Sequence, residues 1–509
     1  MDRVLILALF SGDVLKVDLL PRASFARALG AMACCSLLSG CAASAQPAMP
    51  NALDSPRRAL PEIVVQTRDW LQADMPVIDN PVARLQLEEW LQRISEASDS
   101  HPSVRAAQAA ADISVSTIEE AQALLRPQVS GGVFANIERS RRDGAKIGSD
   151  SSSELAIDPN IAISQIIYDG GAQQARIDAA SSRAVSARNR LTSAEGGIAL
   201  RAADTLIELA RIQQHVELAE TNLSEVRRIR NMISDRVQAG RDSPSDILQM
   251  NGRVAEAQRQ VADLVAQRAD VGARHLEIFG QRPVVLAFPS VFAPIPTNVL
   301  SALDVASSKN PDILSSKAEV KAAMLDERAV EGDSMPRIEV EGRVDYYDIA
   351  RDRASSYDAS VGLRVTYDLY DGGLRRAQEK SSQGEVRLAE AEAEQVTRDI
   401  ELALSQAYAN RAGLIPELKI AKGQLNQVVA TRDAYQEQFI AGRKLLSDLI
   451  SAQQEVFAVG LQVTELEADL HRQHFTIMSL LGELGSPSQR ACVPTATFQC
   501  RGDRLAEDG

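Results

Sequence analysis

Two histidines, four glycines and two aspartates are the residues of this 509-residue chain whose types and spacing admit a chemical role. His471 and His474 stand three apart, a spacing that can turn two imidazoles toward one metal. No cysteine joins them and Glu467 is the one carboxylate at a ligand-like distance, so a solvated helix face is expected, with no metal and no cofactor. Gly170-Gly171 and Gly372-Gly373 each follow a Tyr-Asp pair. A phosphate cradle would need a third glycine or Gly-Lys-Ser/Thr, and neither follows, so these are read as strand-to-helix hinges capped by Asp169 and Asp371. Asp246 closes Ser243-Pro244-Ser245-Asp246, a capping box with proline at the first helical position. Asp448 has Leu445 where that serine would be, which leaves Ser447 as a lone cap and the Asp448 carboxylate for another role. No Gly-x-Ser-x-Gly or His-Glu-x-x-His is present, and the five histidines fall in no catalytic constellation; an enzyme is not expected.

Composition supports a large, helical, acidic protein. The apolar share of 45% suffices for a buried core, while aromatics are only 4%, so small and slim side chains that let helices approach closely supply most of it. A net charge of −14 without clustered Lys or Arg argues against a nucleic-acid partner.

The five cysteines fall into three groups. Cys34 and Cys35 lie in a small-apolar run after Arg22 and Arg27, read as an export signal over residues 1–40. Cys41 ends Leu38-Ser39-Gly40-Cys41, which resembles the lipobox of bacterial lipoproteins and implies an acylated Cys41 at the head of a lipidated linker over 41–97. Cys492 and Cys500 lie in a tail over 485–509, where an oxidising compartment would let them pair.

The elements that must position these residues are written twice. Tyr168-Asp169-Gly170-Gly171 recurs as Tyr370-Asp371-Gly372-Gly373, an offset of 202 (370 − 168), and Ala239-Gly240-Arg241 recurs as Ala441-Gly442-Arg443 at the same offset. Upstream, His101-Pro102 matches Asn310-Pro311 at 209 (310 − 101). The copies occupy 98–282 and 300–484, joined by a proline-rich connector over 283–299. Each begins with a helical stretch, then alternates. From Arg337, Ile338, Val340, Val344 and Tyr346 share one face and Arg337, Glu339, Glu341, Arg343 and Asp345 the other; Tyr357 to Leu369 alternates likewise, and Val129 to Ile167 does so more weakly. Such strands ended by tyrosines suit a membrane barrel, and no second layer of strands exists to cover their apolar face. After each Gly-Gly the period returns to 3.6 for a rod of about 100 Å. Gly240 and Gly442 stop the rods and a return helix follows; Pro416 is expected to interrupt and kink the second rod.

Hairpin, Gly-Gly corner, very long helix, Ala-Gly turn with a following Asp and return helix, all duplicated over Ser98 to Leu484, resemble the TolC-type family of outer-membrane efflux and secretion proteins. The resemblance implies a mainly α-helical chain with a membrane β-barrel part: a homotrimer with a periplasmic helical tunnel topped by a shared twelve-stranded barrel. It further implies docking to an inner-membrane ABC or proton-driven transporter through a periplasmic adaptor, and contact with outer-membrane lipid. Acidic residues just after the hairpin turns line the entrance in that family, which places Asp246 and Asp448 there. Ser451 stands where a second acidic residue is found, Lys444 where a gate-bracing arginine is, and Phe439 in place of a tyrosine, so any bracing differs. The implied function is export of protein cargo, as in type I secretion, or of small molecules.

Overall fold

The computed structural model describes residues 81–139, 153–284, 287–290, 292–347 and 356–484. The export signal, Cys41, Cys492 and Cys500 lie outside them. The element order is α1 (Pro81–Ser100), α2 (Pro102–Ala123), β1 (Gln128–Arg139), β2 (Ser153–Tyr168), α3 (Ala172–Gln238), α4 (Pro244–Phe279), α5 (Val299–Lys309), α6 (Pro311–Asp333), β3 (Arg337–Tyr347), β4 (Ser356–Thr366), α7 (Leu374–Ile440) and α8 (Leu446–Leu480).

The duplication seen in the sequence is a duplication in space. The rods α3 and α7 are each 67 residues long, about 100 Å at 1.5 Å per residue. Both begin at a left-handed glycine, Gly171 (φ 83°) and Gly373 (φ 92°), a conformation that costs other residues the clash of Cβ with the backbone. Asp169 accepts hydrogen bonds from the Gly171 N–H (3.0 Å) and the Gln173 N–H (2.7 Å), and Asp371 accepts from Gly373 (2.9 Å) and Arg375 (2.9 Å), so each carboxylate takes up the free N–H groups of its corner. Pro416 lies inside α7, which is not interrupted there, against the break expected of it. A single missing N–H within so long a helix leaves the turns on either side intact.

The four strands form one antiparallel sheet in the order β1-β2-β3-β4. Its two faces differ as the alternation requires. Val133, Ile137, Ile161, Val361, Leu363 and Val365 are exposed on the apolar side, while Arg364 pairs with Glu341 (2.6 Å), Arg337 with Glu339 (2.6 Å) and Arg343 with Asp345 (2.8 Å). Leu363 is 69% and Val361 85% exposed, so among the described residues the sheet has no apolar cover. β1 and β4 are its edges. Among the described residues no helix is long and apolar enough to cross a membrane.

The stretch assigned to a linker up to residue 97 ends in a helix. Trp90, Ile94 and Ala97 of α1 are buried with Ala199, Ala202, Ala203 and Leu206 of α3 and with Phe475 of α8, whose ring stacks on Trp90 at 6.3 Å. Their i, i+4, i+7 spacing is a helical stripe, and burying Trp90 and Ile94 stabilises the docked helix by roughly 2–3 kcal/mol each.

Candidate functional site: the two helical hairpin tips

The far ends of both rods meet in one cluster. Ile229, Ile233 and Met250 of the first hairpin (α3–α4) pack with Phe439, Leu449 and Ile450 of the second (α7–α8). The two turns are alike in backbone: Gly240 (φ 70°) and Gly442 (φ 71°) follow C-caps Ala239 and Ala441, and the N–H groups of Arg241 and Arg443 return to the Arg236 and Gln438 carbonyls at 2.8 Å. The chemistry on these backbones differs.

At the first tip Ser243 and Asp246 form a reciprocal capping box: the Asp246 carboxylate accepts from the Ser243 N–H at 3.1 Å, and the Ser243 hydroxyl accepts from the Ser245 N–H at 3.3 Å. At the second tip only half of this exists. Asp448 accepts from the Leu445 N–H at 3.4 Å, and Leu445 is the N-cap residue with no side-chain acceptor to return the bond. Asp448 therefore caps its helix despite the missing serine, and Ser447, expected as the lone cap, lies inside the first turn instead. Lys444 Nζ is 3.6 Å from the Asp448 carboxylate and 4.2 Å from the centre of the Tyr435 ring. Both aspartates are partly exposed.

Phe439 is buried, and the residue that covers it is one the sequence did not single out. The Arg236 guanidinium sits 4.8 Å from the Phe439 ring centre and donates two hydrogen bonds to Asp242, Nε–Oδ2 2.7 Å and Nη2–Oδ1 3.0 Å. Its Nη1 reaches the Ile440 carbonyl at 3.4 Å. Pairing with Asp242 raises the Arg236 pKa, so it is always charged. Arg236 thus links its own turn to the second hairpin. Above it, Arg228 donates to Gln436 (2.6 Å) and the buried Gln453 side chain donates to Asn222 (3.0 Å), again joining the hairpins. At the repeat offset Arg236 and Asp242 correspond to Gln438 and Lys444, so nothing in the periodicity marked them.

His471 and His474 are not on a solvated face. They are 6% and 2% exposed, in the stripe with Phe475 and Met478, and face the connector. Phe288 stacks on His471 at 5.1 Å, and Phe292 lies 4.6 Å from His471 and 4.8 Å from His474. Burial pushes His471 down to about 4 and His474 down to about 3, so both are neutral near pH 7. The connector is held further by the Tyr408 hydroxyl, which donates to the Pro296 carbonyl at 2.8 Å. Aromatic rings cover the faces of both imidazoles. Among the described residues no group of three or more His, Cys, Asp or Glu is arranged to hold a metal.

Pooled chemistry of this kind, in which carboxylates, guanidinium groups and aromatic rings tie two hairpin ends together, can set whether the rod ends stand together or apart.

Comparison with known proteins places this architecture. The family described as outer membrane efflux protein matches twice, over residues 93–274 and 302–483, and the matches start 209 residues apart (302 − 93). Outer membrane efflux protein BepC of Brucella suis biovar 1 is 24% identical over 371 residues, covering 72% of this chain and 78% of that protein. Pyoverdine export outer membrane protein OpmQ of Pseudomonas putida is 24% identical over 400 residues, covering 72% and 79%. Among solved structures, CusC has a TM-score of 0.70 at 13% identity over 77% of this chain and 92% of that one. The outer-membrane channel OprN gives 0.69 at 19% identity over 78% and 91%.

Proposed function

We propose that this chain, which belongs to the outer membrane efflux protein family, works as a homotrimer whose subunits pool four strands each into one twelve-stranded barrel. Members of this family are outer-membrane channels of tripartite export systems. The observation that carries the proposal is the open sheet. Among the described residues its edge strands β1 and β4 have no further partner and its apolar face no cover. In hydrocarbon each unpaired backbone group costs several kcal/mol, so the edges must be closed by other copies. Closed membrane barrels begin at about eight strands; twelve is the multiple of four wide enough to enclose a channel without being a large porin.

In this reading the rods project into the periplasm and their tips form the entrance, where an adaptor and an inner-membrane transporter, ABC-type or proton-driven, engage them. Asp246 and Asp448 line the mouth while capping their helices, and Lys444 and Phe439 take part in bracing it. Carboxylates from three copies converging on one axis favour cations, by an amount that salt screens. Gly170, Gly171, Gly372 and Gly373 are the hinges between barrel and tunnel. Acylated Cys41 adds a lipid anchor, and Cys492 and Cys500 pair in the tail.

The Tyr-Asp-Gly-Gly corners resemble secretion-linked members and favour a protein cargo, exported as in type I secretion. A relative that exports pyoverdine favours a small-molecule cargo. Deleting the gene and measuring both the secreted proteins and the retention of small toxic compounds decides between them: loss of one large secreted protein with unchanged drug sensitivity supports the first, and the converse the second. Conductance in planar bilayers tests the channel itself, and a purified oligomer that never conducts would refute it.

A further inference from the structure

The joint between α3 and α6 has a charge code along its edge. Ala172, Ala175, Ala179, Ser182 and Ser186 of α3 recur at alternating spacings of three and four, as do Ser315, Ala318, Ala322, Ala329 and Gly332 of α6 with Leu325 between. Small side chains bring the backbones together: a Cβ on Gly332 would lie 2.7 Å from the Ala172 nitrogen, and the Ser186 and Ser315 hydroxyls share a buried hydrogen bond of 2.9 Å. Beside this seam Arg176, Arg183 and Arg190, seven apart, pair with Asp333, Asp326 and Glu319, seven apart in the opposite sense, the last pair at 3.0 Å. Five of the six are one residue past a named seam position, and Arg190 follows Asn189, the next step of the same spacing; this is the place from which packed helices exchange ion pairs and choose partners.

The internal repeat supplies a related but bulkier seam a second time, on α7 and α2, which are not packed together within the chain. Shifted by 202, the α3 seam becomes Leu374, Ala377, Ser381, Gly384 and Leu388 of α7; shifted by 209, the α6 seam becomes Ala106, Ala109, Ile113, Ser116 and Ala123 of α2 with Glu120 between, so that Leu374, Leu388, Ile113 and Glu120 are larger than the residues they replace and the rest stay small. Leu374 is 57% and Ile113 67% exposed. A Cβ on Gly170 would strike the Gly332 carbonyl at 2.5 Å, whereas one on the equivalent Gly372 meets nothing within 4 Å. The ladder positions are not repeated with the seam: Gln378, Glu385 and Glu392 stand on α7, and Leu124, Thr117 and Ala110 on α2.

In the proposed assembly α7 of one copy lies beside α2 of the next, because these are the two ends of the packed row α2-α3-α6-α7; we infer that the Arg–acid ladder is a partner-selection code keeping this joint and the α3–α6 joint from exchanging helices. The mispaired joint of α6 with the α7 seam would set Asp326 against Glu385 and Glu319 against Glu392. The other mispaired joint, α3 with α2, would leave three arginines facing Leu, Thr and Ala. Exposed ion pairs contribute little to stability singly, but selection needs only a difference between pairings, and like charges in register supply it. The inference rests on the proposed assembly from several copies, with a second copy of this chain as the occupant.

Two experiments test it. The hydrogen-bonded Ser186 and Ser315 have Leu388 and Ala106 as counterparts, so Leu388→Cys with Ala106→Cys, in a chain with Cys492 and Cys500 changed to serine, should form disulfides between copies on oxidation, and neither single variant should. Second, Arg183→Glu with Arg190→Glu should lower the yield of oligomer at least tenfold, and adding Asp326→Arg with Glu319→Arg should restore it. Restoration separates the code from simple misfolding. Assembly of the arginine-reversed variant at the wild-type yield, or failure of the compensated variant to recover with its helix content unchanged, would overturn the code. Oligomers without the cross-link would overturn the α7–α2 joint while leaving the assembly standing; a wild type that is monomeric would overturn the assembly itself.

Discussion

The two hairpin tips share a backbone and differ in what fastens them. The first is stapled three ways, by the Ser243–Asp246 box, by the two-bond Arg236–Asp242 pair and by Arg236 over Phe439. The second has half a box and two looser contacts, both from Lys444: to Asp448 at 3.6 Å and over the Tyr435 ring at 4.2 Å. Duplication preserved what the backbone needs, the glycines and the rod length, and let the side chains at equivalent places diverge. The tip with fewer ties is the one better able to move, because fewer interactions must break to displace it.

The same divergence gives the largest effect expected, under the connector. His471 and His474 of α8 correspond to Ala269 and Gly272 of α4, so the first copy carries no imidazole at these two places. Their folded pKa values, about 4 and about 3, lie below the unfolded value of 6.5. The unfolded chain therefore takes up protons first: stability is full above pH 6.5 and falls as the pH drops toward 4 and then 3. By pH 5 the loss is about 2 kcal/mol per histidine. Thermal unfolding followed from pH 7 to pH 5 should show a steep decline that His471→Phe with His474→Phe flattens; an equal slope in that variant would place the titrating groups elsewhere.

Next in size is the pin between the tips. Arg236→Ala leaves Asp242, 13% exposed, without its cation, and should raise amide exchange at both tips by roughly 1–3 kcal/mol of local stability. Gln438→Ala, at the matching place in the second copy, should change exchange by less than about 0.5 kcal/mol. Equal effects would erase the distinction between tips. Smaller again is the cap itself: Ser243→Ala should cost about 1 kcal/mol of local stability and Leu445→Ser should recover a similar amount by completing the second box, both read by the same exchange. Smallest is the charge at the mouth. Asp448→Asn should weaken block of conductance by multivalent cations several-fold, and Asp246→Asn less; unchanged block would confine Asp448 to capping.

Which parts of this were legible follows from range. Gly-Gly corners, rods, return helices and four strands could be read because their signals are local and occur twice at fixed offsets. α1 carried its stripe, Trp90, Ile94 and Ala97, but has no family-like motif to draw attention to it. The histidines lack a set of ligand partners in the sequence, which favoured a solvated face, whereas the stripe through Leu470, His471, His474, Phe475 and Met478 points inward. Arg236 and Asp242 could not be found by comparing copies, since they lie where the copies differ, and the seam code needs a fold to show which helices touch.

The central claim is that one chain is an incomplete barrel closed by copies of itself. Light scattering of the purified protein, corrected for bound detergent, measures this most directly. Three times the mass of the mature chain is predicted; a stable species of one chain that conducts in a bilayer would contradict it, because four strands cannot close.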